Sequence, residues 1–396
     1  MRFRFTKDHI AYFSSGQAAE ILHEYHSQTE KYSDSLRIQT ALRAVFPALA
    51  TDTLQACLAQ FALQEKGRKK CALPENALYT QDALEMASSS AAARLHAALL
   101  PSDGVVLDIA AGIGSDAAQI AGSANGIICI EADAVHASIL RHNLLVGGYS
   151  NAAVLQGRAE SWLPLLKTGN LRAVFADPAR RNDGKRHVEV ELYSPPLTLF
   201  DTLPPDLPVL VKISPAADAP EGWNRATVAF GKECSEQLLH RNLDLPPLCA
   251  LHADHDLRWT PDTSLPPVCI DTPRFLIEPH AAIIRTGAVE EYLREQRAAP
   301  LDPQIAYGLS EHEPPVSVWH QRFRLLRVDA FNRKRLRSIA RELDFSSRTE
   351  IKKRGFPDTP EQIRSALKLS GDTHGVIFIA RRGKGHVMAF GLRIED

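Results

Sequence analysis

One stretch limits the possible folds of this chain more than any other. Val105-Val106-Leu107-Asp108-Ile109 is a short apolar run broken by one acid, and it leads into Ala110-Ala111-Gly112-Ile113-Gly114. Such a run reads as a strand buried on both faces of a parallel sheet. Two glycines one residue apart let the chain turn sharply and let a ligand approach the backbone. Ser115-Asp116-Ala117-Ala118-Gln119-Ile120 then reads as the start of a helix. Strand, glycine turn and helix make the first unit of a nucleotide-type α/β fold.

The residues after this unit repeat its logic. Gly126-Ile127-Ile128-Cys129-Ile130 is apolar and ends at Glu131, about 20 residues past the glycines, where an acid can accept hydrogen bonds from ribose hydroxyls. Asp133 is a second acid within reach. Ala173-Val174-Phe175-Ala176 ends at Asp177-Pro178-Ala179-Arg180-Arg181. Proline there fixes φ and removes a donor, so neighbouring carbonyls point rigidly at a target. Strands are expected at 105–109, 127–131, 152–156, 172–176 and 208–213, with a later pair near 226–230 and 248–252. Asp108, Glu131, Arg158, Asp177 and Lys212 all fall at or just after strand ends, where ligands of parallel sheets bind.

Two cofactors fit the first turn. Gly112-x-Gly114-x-x-Ala117 satisfies the dinucleotide fingerprint. Asp108 argues against a pyrophosphate, since two anions would face each other, and is compatible with S-adenosylmethionine, which carries an ammonium and a sulfonium. The pattern Asp108-x-Ala110-x-Gly112-x-Gly114 resembles motif I of the class I methyltransferases. Asp177-Pro178-Ala179-Arg180 resembles their motif IV, with Ala179 in place of a second proline and Arg180 in place of an aromatic. An aromatic would stack a flipped base, whereas an arginine stacks as a cation or holds a phosphate.

Four segments together resemble a narrower group, the bacterial class I methyltransferases with a THUMP-like C-terminal domain. They are Leu78-Tyr79-Thr80-Gln81-Asp82-Ala83-Leu84-Glu85-Met86-Ala87-Ser88, the core pair just described, Phe275-Leu276-Ile277-Glu278-Pro279-His280-Ala281-Ala282-Ile283-Ile284, and Glu350-Ile351-Lys352-Lys353-Arg354-Gly355. The resemblance implies a Rossmann-like α/β core that binds S-adenosylmethionine, preceded by an N-terminal helical domain and followed by a small α+β domain. It also implies an RNA methyltransferase without naming the RNA; tRNA and rRNA are both candidates. The cofactor residues expected on this basis are Asp108, Ala110, Gly112, Gly114, Asp116, Glu131, Ala132, Arg158 and Ala159. Arg158 stands where related enzymes have an Asp that meets adenine, so backbone groups of Arg158 and Ala159 would serve there. The expected catalytic group is Asp177, Pro178, Arg180 and Lys212. Val209-Leu210-Val211-Lys212 resembles a segment of uridine C5 methyltransferases, but it has no cysteine for covalent attack.

Composition limits the compartment and the partners. The chain has 396 residues and is 44% hydrophobic, enough for two to three domains. Boundaries are expected at 1–100 (helical), 101–270 (methyltransferase), 271–320 (a connecting ferredoxin-like module) and 321–396 (basic, THUMP-like). Six cysteines without C-x-x-C spacing suggest a reducing compartment. No apolar run reaches the length of a membrane span, and the charged first residues do not read as a signal peptide, so the chain reads as cytoplasmic with no membrane partner. Nothing in the sequence points to an obligate protein partner.

The net charge of −1 conceals an asymmetry: residues 322–396 carry 18 Lys and Arg against 9 Asp and Glu, and the rest carry 28 against 38. A basic end on an acidic body is the footprint of a phosphate-rich partner. Arg181, Arg333, Lys334, Arg335, Lys352, Lys353 and Arg354 are the expected RNA contacts. Lys66-Gly67-Arg68-Lys69-Lys70 reads as a basic loop, and His252-Ala253-Asp254-His255-Asp256 as a polar loop without a metal. The leading expectation is direct methyl transfer to a nitrogen or oxygen of RNA. The alternative is an RNA-binding protein that keeps the methyltransferase fold without its activity.

Overall fold

The computed structural model describes residues 3–166, 168–179, 181–182, 185–186 and 188–395. Arg180 lies outside them, and for Arg181 only the backbone is described. The chain divides into two compact units: Met1–Arg225 with Glu236–Pro247, and Ala226–Ser235 with Leu248–Asp396.

The first unit begins with helices α1 (Lys7–Ser14), α2 (Ala19–Lys31), α3 (Ser35–Val45), α4 (Thr51–Lys70), α5 (Gln81–Met86) and α6 (Ser90–Leu99). Their starts follow local chemistry. Thr6 caps α1 with a reciprocal His9 contact, Asp34 caps α3, Thr80 caps α5 and Ser89 caps α6. The expected basic loop at 66–70 is instead the last turn of α4. Gly67 is tolerated there because the Tyr79 ring packs where a side chain would stand, 2.3 Å from an added Cβ. The cationic residues of that turn also suit the helix C-terminus.

These helices share their compact unit with a parallel sheet made of β1 (Val105–Ile109), β2 (Gly126–Glu131), β3 (Ala152–Gln156), β4 (Leu171–Ala176) and β5 (Val209–Ile213). The spatial order is β3-β2-β1-β4-β5. Helices α7 (Ser115–Ser123) and α8 (Ala134–Val146) follow β1 and β2. The strand Glu233–Arg241, not anticipated, pairs antiparallel with β5, placing Gln237 beside Ile213 and Arg241 beside Val209. The strand order reverses between β1 and β4, and open α/β sheets bind ligands at such a switch point. The core beneath includes Leu107, Val174, Val209, Val211, Phe200 and Leu239. Asn143 of α8 fastens the segment before α5 and the glycine turn, accepting from Leu78 N and donating to the carbonyls of Leu78 and Ile113.

In the second unit a seven-stranded sheet joins Phe275–Pro279, Ala299–Asp302 and Ile305–Ser310 to His320–Ala330, Glu350–Arg354, Val376–Arg382 and Gly385–Ile394. The strand His320–Ala330 crosses the boundary expected at 320/321, and it pairs with Phe275–Pro279 on one side and Gly385–Ile394 on the other. The expected connecting module is therefore continuous with the C-terminal segment through one sheet, because the edge that a separate module would expose is hydrogen-bonded. The basic amphipathic helix Arg333–Glu342 and the helix Pro360–Leu367 cover a core of Leu336, Ile339, Ile363, Ile377 and Phe390.

Candidate active site

A cavity of about 340 Å³ opens in the first unit beside the carboxyl ends of β1, β2 and β4. The turn after β1 shapes one wall. Ala110 and Gly112 adopt positive φ of 64° and 58°, and Gly114 follows at 94°. A side chain at Gly114 would lie 2.6 Å from Leu140 Cδ1, so sterics and backbone conformation both require glycine. Ala110 is in the left-handed region without that excuse. Non-glycine residues there cost about 1–2 kcal/mol, and the neighbouring Ala111 N–H to Ile130 carbonyl bond at 3.1 Å helps to hold the turn. Strain of this kind gathers at ligand sites.

Acids surround the cavity. Glu131 accepts from Gly112 N and Asp133 N, both at 2.8 Å, and so fastens the glycine turn to β2. Burial raises its carboxyl above the ordinary value despite those two bonds. Asp133, the second choice for ribose, spends its carboxylate capping α8 through Val135 N and His136 N. Asp108 is 1% exposed, lines the cavity, and neither of its oxygens has a hydrogen-bond partner. Burial, then the neighbouring Asp116, Asp177 and Glu131, push its carboxyl well above the usual range. An orphaned buried carboxylate is costly. It is the feature a cationic ligand would satisfy.

Other expected residues take places on the same wall. Ala132, Ala159, Gly112 and Pro178 line the cavity. Arg158 also lines it, with an exposed side chain paired to Glu160 at 3.3 Å. Gly114 stands just behind the lining as the residue preceding α7. Asp116 lines the cavity but is not free, because its Oδ1 lies 2.7 Å from His96 Nδ1. Lys212, expected in the catalytic group, is instead buried and absent from the lining. Its ammonium donates to Asp177 Oδ2 and Ser88 Oγ, both at 2.8 Å. Burial opposes its charge, yet Asp177 and Glu236 raise it above the ordinary lysine value.

Sequence reasoning missed His96 and Glu236, whose spacing of 140 residues carries no local signal. It also left Met86, Ser88 and His136 without roles, although Met86 and Ser88 sit in a segment singled out by resemblance; all three line the cavity. His96 is fully buried between two carboxylates. Burial alone would depress it, but Glu236 and Asp116 raise it to about 10. Burial would raise Glu236, but His96 and Lys212 hold it down at about 2.

The signs predict a stability profile. The His96 contribution is complete below its ordinary value of 6.5 and is lost as pH rises through about 10. The Glu236 contribution is complete above 4.5 and is lost as pH falls through about 2. Urea unfolding is therefore expected to show stability falling between pH 6.5 and 10, by up to about 1.4 kcal/mol per pH unit from His96. A profile flat across that range would show that His96 carries no such charge.

A crystal structure from Porphyromonas gingivalis W83, described as a candidate methyltransferase, superposes with a TM-score of 0.71 at 21% identity, covering 87% of this chain and 92% of that one. Two uncharacterized S-adenosylmethionine-dependent methyltransferases of Mycobacterium tuberculosis, strains CDC 1551 and H37Rv, are each 28% identical over 334 residues, covering 79% of this chain and 88% of theirs. Residues 320–392 match the family described as THUMP domain-like. The chain has the fold of a class I methyltransferase, and its residues 320–392 resemble a THUMP domain.

The THUMP-like domain does not hold all its expected RNA contacts free. Lys352 Nζ lies 2.6 Å from Glu278 Oε2 and 3.1 Å from Glu350, and Arg354 reaches Glu278 at 3.4 Å while its guanidinium covers the Tyr307 ring. These are partly buried pairs that join the Glu278-Pro279 segment to the Lys352-Lys353-Arg354 segment, so they serve the sheet. Lys353 donates to the Phe356 carbonyl. The helix Arg333–Glu342 is different. Lys334 is exposed, and the exposed guanidiniums of Arg333 and Arg335 pair with Asp358 and Asp329. Such pairs are worth about 0–1 kcal/mol, so phosphates can displace them.

His252, His255, His280 and Trp319 pack their rings together in the second unit. Among the described residues no group of three or more His, Cys, Asp or Glu could hold a metal ion, and no helix is long and apolar enough to cross a membrane.

Proposed function

We propose that the chain transfers a methyl group from S-adenosylmethionine to a nitrogen or oxygen of structured RNA, tRNA or rRNA being the candidates. The single observation that carries the cofactor is Asp108, a buried carboxylate without partners on the wall of an acid-rich cavity. That surrounding repels a pyrophosphate and suits a ligand bearing an ammonium and a sulfonium. The similarity to the mycobacterial relatives supports the same reading. The free cysteines fit a reducing cytoplasm.

Asp108 would hold the cationic end of the cofactor, Glu131 its ribose, and the backbone of Arg158 and Ala159 the base. When bound, this cofactor supplies an electrophilic methyl group on sulfur. Asp177 accepts a hydrogen bond from the N–H or O–H of the acceptor, and Pro178 keeps the adjoining backbone rigid. Lys212 holds Asp177 in place. Arg180 and Arg181 are assigned to the RNA backbone. Most of the acceleration then comes from alignment, not from a covalent intermediate.

The basic helix of the THUMP-like domain supports RNA as the acceptor. Transfer of labelled methyl from S-adenosylmethionine to total RNA, lost on ribonuclease treatment, is the expected result. Reversing charge at Lys334 and Arg335 should weaken RNA binding across sequences and flatten its salt dependence by roughly one unit of slope per phosphate contact removed. Label appearing in protein and not in RNA would contradict the assignment. RNA binding without any transfer would favour the alternative of an RNA-binding protein that has lost the activity.

A further inference from the structure

Five alternating charges run through the interior of the first unit, and both ends reach the cavity. Asp116 Oδ1 meets His96 Nδ1 at 2.7 Å, and His96 Nε2 meets Glu236 Oε1 at 2.6 Å. Glu236 Oε2 lies 3.5 Å from Lys212 Nζ, which donates to Asp177 Oδ2 at 2.8 Å. With both carboxyls ionised, their oxygens only accept, so both ring nitrogens of His96 donate and the ring is an imidazolium. His96 is 0% exposed, and Glu236 and Lys212 are also buried. None of these three lines the cavity, whereas Asp116 lines it on the glycine-turn side and Asp177 on the Asp177-Pro178 side.

Stability alone does not explain such a series. Buried ion pairs can often be replaced by apolar residues without loss. What the series supplies is position. Asp116 is fixed by α7, His96 by α6, Lys212 by β5 and Glu236 by the strand beside it. Each link is set by rigid elements, and a charge left unpaired anywhere would sit in a low-dielectric interior. Catalytic geometry is sensitive to displacements near 1 Å.

We propose that His96 and Glu236 are positioning residues that hold Asp177, through Lys212, in the orientation needed to receive the methyl acceptor. This deepens the function proposed above and rests on it. His96 tethers the series to Asp116 on the cofactor side, so one buried charge series sets both halves of the cavity. Neither residue lines the cavity.

The test pairs spectroscopy with kinetics. In the wild-type protein, the ¹⁵N-detected imidazole resonances of His96 should show both nitrogens protonated from pH 6 to at least pH 8. Glu236→Gln removes one charge at nearly constant shape and should lower the His96 titration midpoint by at least one pH unit. The same variant should transfer methyl to total RNA about 30- to 100-fold more slowly while binding S-adenosylhomocysteine within about threefold of wild type.

A neutral His96 in the wild type at pH 7 would overturn the proposal even if the variant failed to fold. Unchanged transfer by Glu236→Gln would also overturn it, as would transfer and binding falling together in step with thermal stability, which marks a merely structural role. Absence of S-adenosylhomocysteine binding and of methyl transfer in the wild type would overturn the proposed function itself, whatever the state of His96.

Discussion

Replacing Asp108 with Asn should make the ligand-free protein more stable and the cofactor site useless. The side chain is 1% exposed and both oxygens lack partners. Burial and three nearby acids oppose its ionisation. An amide of the same shape cannot ionise in either state, so the gain should be near zero in acid and grow as pH rises above the ordinary carboxyl value, where the unfolded wild-type chain ionises Asp108 and the folded one resists it. A rise in unfolding midpoint of a few degrees at pH 8, at roughly 2–4 °C per kcal/mol, is the scale to expect. The same substitution takes away the anion that a cationic ligand needs. Hydrogen bonds to charged groups contribute about 1.5–3 kcal/mol each, so affinity for S-adenosylmethionine should fall by about 10²-fold or more. Thermal melts with and without ligand check both halves. A variant that is less stable without ligand yet keeps its affinity would show that Asp108 is a structural residue.

The second large effect lies at Asp177. Its Oδ2 is held by the Lys212 ammonium at 2.8 Å, and the residue lines the cavity. Asp177→Ala should reduce methyl transfer by at least about 10²- to 10³-fold, the range seen when one fixed polar contact to a reacting group is removed. Affinity for the cofactor should change little, because the Asp108 and Glu131 contacts remain. Asp177→Ala also takes one partner from the buried Lys212 ammonium, which keeps Ser88 and Glu236, so some loss of stability accompanies it. Asp177→Asn is therefore the companion variant, since it keeps an acceptor for Lys212. If both variants fold and transfer normally, the Asp177-Pro178 segment is not where the acceptor sits.

The parallel sheet was legible because its strands are short apolar runs, four of which end at or beside an acid or a glycine. β1 and β3 fall at the residues expected from such runs, and β2, β4 and β5 within one residue at their ends. The glycine turn was legible because Gly112 and Gly114 are required by backbone angle and, at Gly114, by Leu140. What escaped reading depends on distant partners. His96 and Glu236 stand in ordinary-looking segments, and only folding brings them within 2.6 Å. Glu233–Arg241 carries too many polar residues to read as a strand beside β5. Lys352 and Arg354 read as free cations in the sequence because their partner Glu278 lies more than 70 residues away. The basic segment at 66–70 reads as a loop because the packing of Tyr79 on Gly67, which suits the end of α4, has no local signal.

Calorimetric titration of the purified protein with S-adenosylmethionine and, separately, with NAD examines the central claim most directly. The acid-rich cavity around Asp108 predicts binding of S-adenosylmethionine at micromolar concentrations and no measurable binding of NAD. Binding of NAD, or of neither compound, would contradict it.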